Sequence, residues 1–542
     1  MIPLVVESVR KRAKHIKSPV QKDPFGRFGA QAGYVSYLWY ITGNISSALI
    51  NLTQIPIVTY GLLAGKYGVS DAASAITDAF RMYFNGGWDD NTALRNPFTG
   101  AAMNDFTFGG AKSLSPEYQK LYQAAIERGA IRRSTGQDLM EARGNPVEDP
   151  TSMWTRGQYW LGWLFQNTER VNREVTLLAT YKLARSKGLS PQAAQEQAFR
   201  TVEETSGSAM AEVGPQFFQS GVGKIIGIFM RFAMAQIYLI YKLAARSLSK
   251  NVKPEVRREA AKQLLAIHTM AFMFAGAKGL PVYGLTNLLA SMLDGLLGDD
   301  DEPFDLDDWI TKEFGNALYR GPLGALLNVD IGSRTGFGDL LWRPDEKRLA
   351  EVGPMLYAFE QLAGPAGGVI KGGIKGLEQF GEGNVWRGVE AMSPSVVRNA
   401  MKGVRFYTEG ALNSKGVPID DDVGAKDALM QIFGFTPNDL ADKYARNNIM
   451  KGAERRVSEK RASLLNRMYL ARQQNDYDEL VDTQNDIDKF NESKFGREYP
   501  ITSKTLIKSE KIRDAKAREA VNGVVLPKKI RQQLMEEAGI EE

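Results

Sequence analysis

Several places in this chain carry residue types that do chemistry, and spacing decides what each could do. Asp299-Asp300-Asp301-Glu302 is followed within a few residues by Asp305, Asp307 and Asp308. So dense a set of carboxylates suits a hard cation such as calcium, but the helix–loop–helix calcium loop requires a glycine at its sixth position. Phe304 stands there instead, and the cluster is read as a solvated turn and helix start. Gly221-Val-Gly-Lys224 has the outline of a phosphate loop. That loop needs glycine, four residues, Gly-Lys and then serine or threonine. Phe218 and Ile225 occupy two of those positions, so the reading is rejected. Glu7-Ser8 opens like the catalytic motif of lytic transglycosylases. A general-acid glutamate needs a desolvated cleft, and this one is followed by Val9-Arg10-Lys11-Arg12. The two histidines, His15 and His268, are far apart in the chain. His268 lies on an apolar stripe and is expected to be a core histidine with a hydrogen-bond partner. There is no cysteine, hence no disulfide and no thiolate chemistry. No catalytic residue, cofactor or metal is expected, and the chain is not read as an enzyme.

The elements that carry these residues are read as helices. The 542 residues suffice for several domains, and strand alternation bounded by turn residues is nearly absent. Ser115-Pro116-Glu117 is a helix start for a helix over 118–128. Met153 to Lys187 gives the longest periodic stretch, with Trp154, Trp160 and Trp163 as packing residues or an interfacial belt. Gly188 ends it and Ser190-Pro191 opens the next helix, over 192–204. Residues 222–248 are again helical and strongly apolar. The uncharged run 264–277 and the apolar run 284–298, joined through Gly279-Leu-Pro281, suit a helical hairpin. Residues 362–384 are glycine-rich, which predicts either a loop or close helix packing. The fold class expected is all-α, elongated, with several helical subdomains and glycine-rich joints.

Phe28 to Gly65 is 38 residues without a charged side chain, in a chain of which 24% is charged. A spanning helix needs roughly 20 mostly apolar residues. Asn44, Ser46, Ser47, Asn51, Thr53 and Gln54 crowd its middle, however, and Pro56 is expected to break a helix there. The stretch is read as helix surface to be buried against protein, or inserted into lipid only as an oligomer. A conventional integral membrane protein is disfavoured for the same reason. The N-terminal basic segment has too short an apolar run for a secretory signal.

Net charge is +5, from 68 basic and 63 acidic residues, too mild to imply nucleic-acid binding. Residues 437–542 are the most charged, with 21 basic and 19 acidic residues, and are read as solvent-exposed antiparallel helices or a partner-binding tail. The divisions expected are 1–27 (basic), 28–115 (uncharged helix and loop), 116–260 (long helices), 261–345 (apolar hairpin and acidic turn), 346–436 (glycine-rich joint) and 437–542 (charged tail). Arg10, Lys11, Arg12, Lys14 and Lys17, with Arg455, Arg456, Lys460 and Arg461, are the best candidates for DNA or membrane contact; a solvated charged face is the plainer reading of both groups.

The order of these segments resembles the conserved terminal region of the very large internal virion proteins of bacteriophages, known for a Pro-Leu-x-Arg-Phe-Gly motif. Asp23-Pro24-Phe25-Gly26-Arg27-Phe28-Gly29 is similar to that motif, with Phe25 in place of its leucine. The block from Asn44 through Asn51-Leu-Thr-Gln54 to Pro56 is similar to a second, and Glu169-Arg-Val-Asn-Arg-Glu-Val175 resembles the family's central helix. Phe229 to Leu248, Gly279–Gly284, Arg320–Leu323, Asp330–Arg334, Arg398–Lys402, Tyr407–Gly410 and Gly434–Pro437 follow in family order. The resemblance spans residues 23–530 and implies a structural protein of the virion interior, near the portal. It implies a homo-oligomer that meets other core and portal proteins, leaves with the genome and helps form a conduit across the host envelope, with DNA passing nearby and a host membrane as a further partner. In that family the region usually ends a much longer protein; the upstream enzymatic domains are not carried over. A scaffold that docks a packaged virion enzyme is the alternative, and a peptidoglycan-cleaving virion enzyme a weaker one.

Overall fold

The computed structural model describes residues 35–84, 89–95, 102–105, 115–128, 130–131, 153–206, 221–281, 306–330, 371–412 and 418–521, with isolated positions between them. The protein is predominantly all-α. Among the described residues the strands form two short antiparallel pairs, Asp89–Arg95 (β1) with Ala102–Asp105 (β2) and Ala411–Leu412 (β3) with Pro418–Asp420 (β4). The chain divides into two units, whose described parts are residues 35–444 and 445–521.

The first unit is built on the uncharged segment. Helix α1, Ile45–Leu52, begins at Asn44, whose side chain accepts from the Ser47 amide. This is the N-cap that supplies an acceptor to an otherwise orphan donor. The expected break at Pro56 does not occur. A π turn, Ile55–Thr59, carries the chain past the proline into α2, Tyr60–Tyr67. Proline lacks an N–H, and its ring collides with a carbonyl of the preceding turn in a regular helix. The wider turn, closed by the Tyr60 amide on Ile55 O, accommodates that ring without ending the helix. By length and composition Ile45–Tyr67 is a helix that could cross a membrane, yet it lies inside the unit. Ile55, Leu63, Ala64 and Tyr67 join one apolar cluster and Ile57, Val58 and Leu62 another.

The first cluster is organised by α5, Met153–Ser186, against α3, Val69–Phe84, α4, Pro116–Glu127, and α6, Pro191–Ser206. Alanines 72, 75, 79, 125, 194 and 198 are buried there, so the axes approach closely. Ser115 occupies the N-cap position of α4 without a side-chain capping bond. Gly188, at φ 84°, turns the chain from α5 into α6 as anticipated. The second cluster is built with α7, Gly221–Leu248, and α8, Pro254–Ala275. The side chains of Trp154, Trp160 and Trp163, the acidic run 299–305 and most of the apolar run 284–298 lie outside the described residues.

After the short helices α9 (Leu306–Phe314), α10 (Asn316–Arg320) and α11 (Pro322–Leu327), residues 371–381 form a helix that packs on α12, Val385–Ala391. Of the two alternatives for this glycine-rich region, close helix packing is the one observed in its described part, 371–381. A β-carbon at Gly376 would strike the Met392 side chain and stand 2.9 Å from Gly388 O. Helices α13 (Ser395–Glu409), α14 (Ala425–Ile432) and the first residues of α15 (Asn438–Gln474) complete the unit.

In the second unit α15 turns at Asn475, which adopts φ 56°. It pairs antiparallel with α16, Tyr477–Glu492, and a short helix α17, Lys494–Glu498, leads to α18, Ser503–Val521. Leu464, Met468, Ile487, Phe490 and Ile501 form its small core.

Candidate functional site

Three polar residues of the uncharged segment, Asn51, Gln54 and Thr59, fall on one face. Asn51 and Gln54 are three apart, and the π turn inserts a residue, so that Thr59 rather than Val58 comes to that face. Opposite them α5 presents Thr168, Asn172 and Thr176 at strict four-residue spacing, one stripe of a helix. The rows interlock. Asn51 Nδ2 donates to Thr168 Oγ1 at 3.4 Å, and Asn172 Nδ2 donates to Asn51 O at 2.7 Å and to Gln54 Oε1 at 3.3 Å. The Thr59 and Thr176 hydroxyls pair at 2.9 Å, both fully buried. Gln54 Nε2 also donates 2.6 Å to Thr205 O, and Gln236 Nε2 of α7 donates to the same carbonyl at 2.7 Å. Thr205 is in the last turn of α6, where carbonyls have no helical partner; two glutamines supply it. The result is a seam of neutral hydrogen bonds joining the uncharged segment to α5, α6 and α7.

On the side that meets α8 the segment carries Gly61 and Gly65 beside the buried Ile57, Val58 and Leu62. A β-carbon at Gly61 would stand 2.6 Å from Ile267 Cγ1 and 2.9 Å from Ile267 Cα, and one at Gly65 would collide with the Gln263 backbone. The Gly61-x-x-x-Gly65 spacing lets α2 and α8 touch backbone to backbone, a device also used between helices in lipid. Gln263 Nε2 donates to Leu62 O at 3.1 Å across the crossing.

Next to the seam α5 buries charge. Arg170 Nε donates 2.7 Å to Glu174 Oε1, whose side chain is fully buried. Tyr122 OH donates to the same oxygen at 3.2 Å, and burial together with that carboxylate pushes the Tyr122 phenol well above its ordinary pKa. Arg173, also buried, pairs with Glu169 at 3.4 Å and donates to Ala130 O. These pairs are i,i+4 neighbours. The alternation of opposite charges four apart inside an apolar helix, and the Thr168-Asn172-Thr176 stripe, were the sequence signals for this site.

The segments named for the resemblance meet at two joints. At the start of α1, the Ser46 amide donates to Phe433 O at 3.2 Å, and Ser46 Oγ donates to Asn44 Oδ1 at 2.8 Å. Gly434, at φ 87°, sits so close that a β-carbon would be 2.6 Å from Ser46 Oγ and 2.7 Å from Asn399 Nδ2. At the second joint buried Arg320 bonds Asp442, lies 3.8 Å from Asp330 and donates 3.4 Å to Asn438 Oδ1. Val329 and Pro437 form an antiparallel bridge beside it.

Of the sequence-predicted residues, Asn44, Asn51, Gln54 and Pro56 are thus structural members of the seam and its cap. Pro24, Arg27, Phe28 and Gly29 and the basic group Arg10, Lys11, Arg12, Lys14 and Lys17 lie outside the described residues, as does the Arg456 side chain. Arg455 pairs with Glu459 at 2.7 Å, and Lys460 and Arg461 are half-buried on the same helix. His268 is half-buried, with Nδ1 2.7 Å from Leu264 O of its own helix. Among the described residues no group of three or more His, Asp or Glu side chains is arranged to hold a metal. The seam's groups are amides, hydroxyls and carbonyls that do not titrate at ordinary pH; their chemistry is holding helices together. No protein family, curated protein or solved structure matches this chain.

Proposed function

We propose that this chain is a structural, non-enzymatic internal virion protein of a bacteriophage. In this reading it oligomerises near the portal, departs with the genome and helps form the conduit for DNA across the host envelope. The observation that carries the reading is the way the uncharged helix is held. Its side chains Asn51, Gln54 and Thr59 are bonded to neighbouring helices through neutral groups, and Gly61 and Gly65 let it meet α8 backbone to backbone. Such a helix can exchange partners within an oligomer without exposing a buried charge, and amide and hydroxyl bonds of this kind join helices in lipid as well as in a soluble core. The ordered motifs support the same reading, since the blocks from Asn44, Arg398 and Gly434 form one joint and those from Arg320, Asp330 and Pro437 another. The absence of cysteine fits a chain that passes a narrow channel and refolds from local helical contacts.

The test is a reconstruction by cryo-electron microscopy of the particle that contains this chain, before and after genome release. The expected outcome is a ring or tube of helical density beside the portal that is lost or moved to the envelope on release. Density that stays in place, or a particle lacking the chain, overturns the conduit.

A further inference from the structure

Helices α7 and α8 form an antiparallel hairpin whose tip is strongly basic. Between residues 246 and 262 there are six basic residues (246, 250, 253, 257, 258, 262) and two acidic (255, 259), a local +4 in a chain whose net charge is +5. Arg257 turns inward, its Nε 3.4 Å from Ser247 O. The other cations, Arg246, Lys250, Lys253, Arg258 and Lys262, are exposed, and none forms an ion pair among the described residues. Lys242, one turn before them, is neutralised by Glu204.

Apolar side chains share this surface. Tyr238, Tyr241 and Leu248 recur along one stripe of α7, and Leu248, at the tip, is 78% exposed. Val256 and Leu265 are exposed on α8. Leu239 and Leu243, on the other side of α7, are buried in the core. The helix is therefore amphipathic twice over, with one apolar stripe inside the fold and another facing out between cations.

We propose that this hairpin tip docks on an anionic phospholipid surface, independently of the conduit reading. Both halves of the surface select that partner. Lysine and arginine are drawn to anionic headgroups, and tyrosine and leucine between them enter the headgroup–acyl boundary. Duplex DNA would attract the cations but offers no apolar phase to an exposed leucine, since its affinity is carried by phosphate contacts.

The experiment is co-sedimentation of the full chain with phosphatidylglycerol–phosphatidylcholine vesicles and with pure phosphatidylcholine vesicles. Binding to the mixed vesicles alone, weakening as salt rises, is expected. The combined variant R246E/K250E/K253E/R258E/K262E lowers that binding by on the order of a hundredfold or more. The variant Y241S/L248S, which alters only exposed side chains, lowers it by roughly tenfold with helical circular dichroism unchanged. No vesicle binding, or binding undiminished in both variants, overturns the proposal. Duplex DNA retained in a gel shift and lost in the charge-reversed variant, with vesicles never bound, also overturns it and makes nucleic acid the occupant.

Discussion

Beneath the uncharged helix, Asn51, Gln54 and Thr59 bond to α5 and α6 through buried neutral groups. In the C-terminal unit, Arg467 bonds Glu479 at 2.8 Å and Asp486 at 2.7 Å, and Arg472 bonds Glu510 at 2.8 Å, all in reach of water. Both regions are antiparallel or parallel helices packed on apolar stripes, and both use side-chain polar contacts between helices. They differ in what losing a contact costs. A buried donor or acceptor stripped of its partner costs about 1–3 kcal/mol, whereas an exposed pair contributes about 0–1 kcal/mol. Helix partners are thus specified in the first region by buried hydrogen bonds that must be replaced in kind when they are broken, and in the second by a small core with adjustable charges around it.

The sharpest way to break this contrast is Glu174→Leu. It leaves Arg170 without its carboxylate in a largely buried place, and a loss of about 3–5 kcal/mol in unfolding free energy is expected. A denaturant titration of the intact protein measures it. Substituting both partners, Arg170→Met with Glu174→Leu, should recover much of the loss, because the cost lies in the stranded charge. Gly65→Val comes next. Its side chain would force α2 from the Gln263 backbone, and about 3 kcal/mol is expected to be lost, at the top of the overpacking range. Gly68→Ala would make a poor control, because Gly68 has φ 106°; Gly373→Ala, with nothing near its added carbon, is the better one. Gln54→Leu removes the bonds to Thr205 O and Asn172 together and should cost about 1–3 kcal/mol. Faster amide hydrogen exchange at the end of α6 would localise that effect. Arg467→Ala should change stability by less than about 1 kcal/mol, and less still in high salt. A loss for Arg467 as large as that for Gln54 would erase the distinction between the two regions.

Helix existence and many helix limits were legible in sequence, because they depend on local signals. Pro191 and Pro254 stand at helix starts, and Gly188 turns α5 into α6 with positive φ. The charged character of the C-terminal helices followed from composition. A proline's effect depends on whether the surrounding turn can widen, and at Pro56 the π turn does so while both faces of the helix are held by packing. The buried pairs of α5 are not legible in sequence because charge in a helix is ordinarily a sign of exposure; only burial distinguishes Glu174 from an exposed glutamate.

By itself, then, the sequence determined that the chain is helical, that residues 28–65 carry polar side chains without any charge among them, and that the chain has no cysteine and does not match the phosphate-loop or calcium-loop spacing. Each of these follows from residue type and near-neighbour spacing. Tertiary structure alone decided which helix meets which: that Asn51 finds Asn172, that Gln54 and Gln236 share Thr205 O, and that Gly61 and Gly65 lie on α8. Those pairings join residues up to 201 positions apart, as Gln263 and Leu62 are. Local periodicity shows which face of a helix needs a partner, but the partner itself is chosen by the packing of the whole unit.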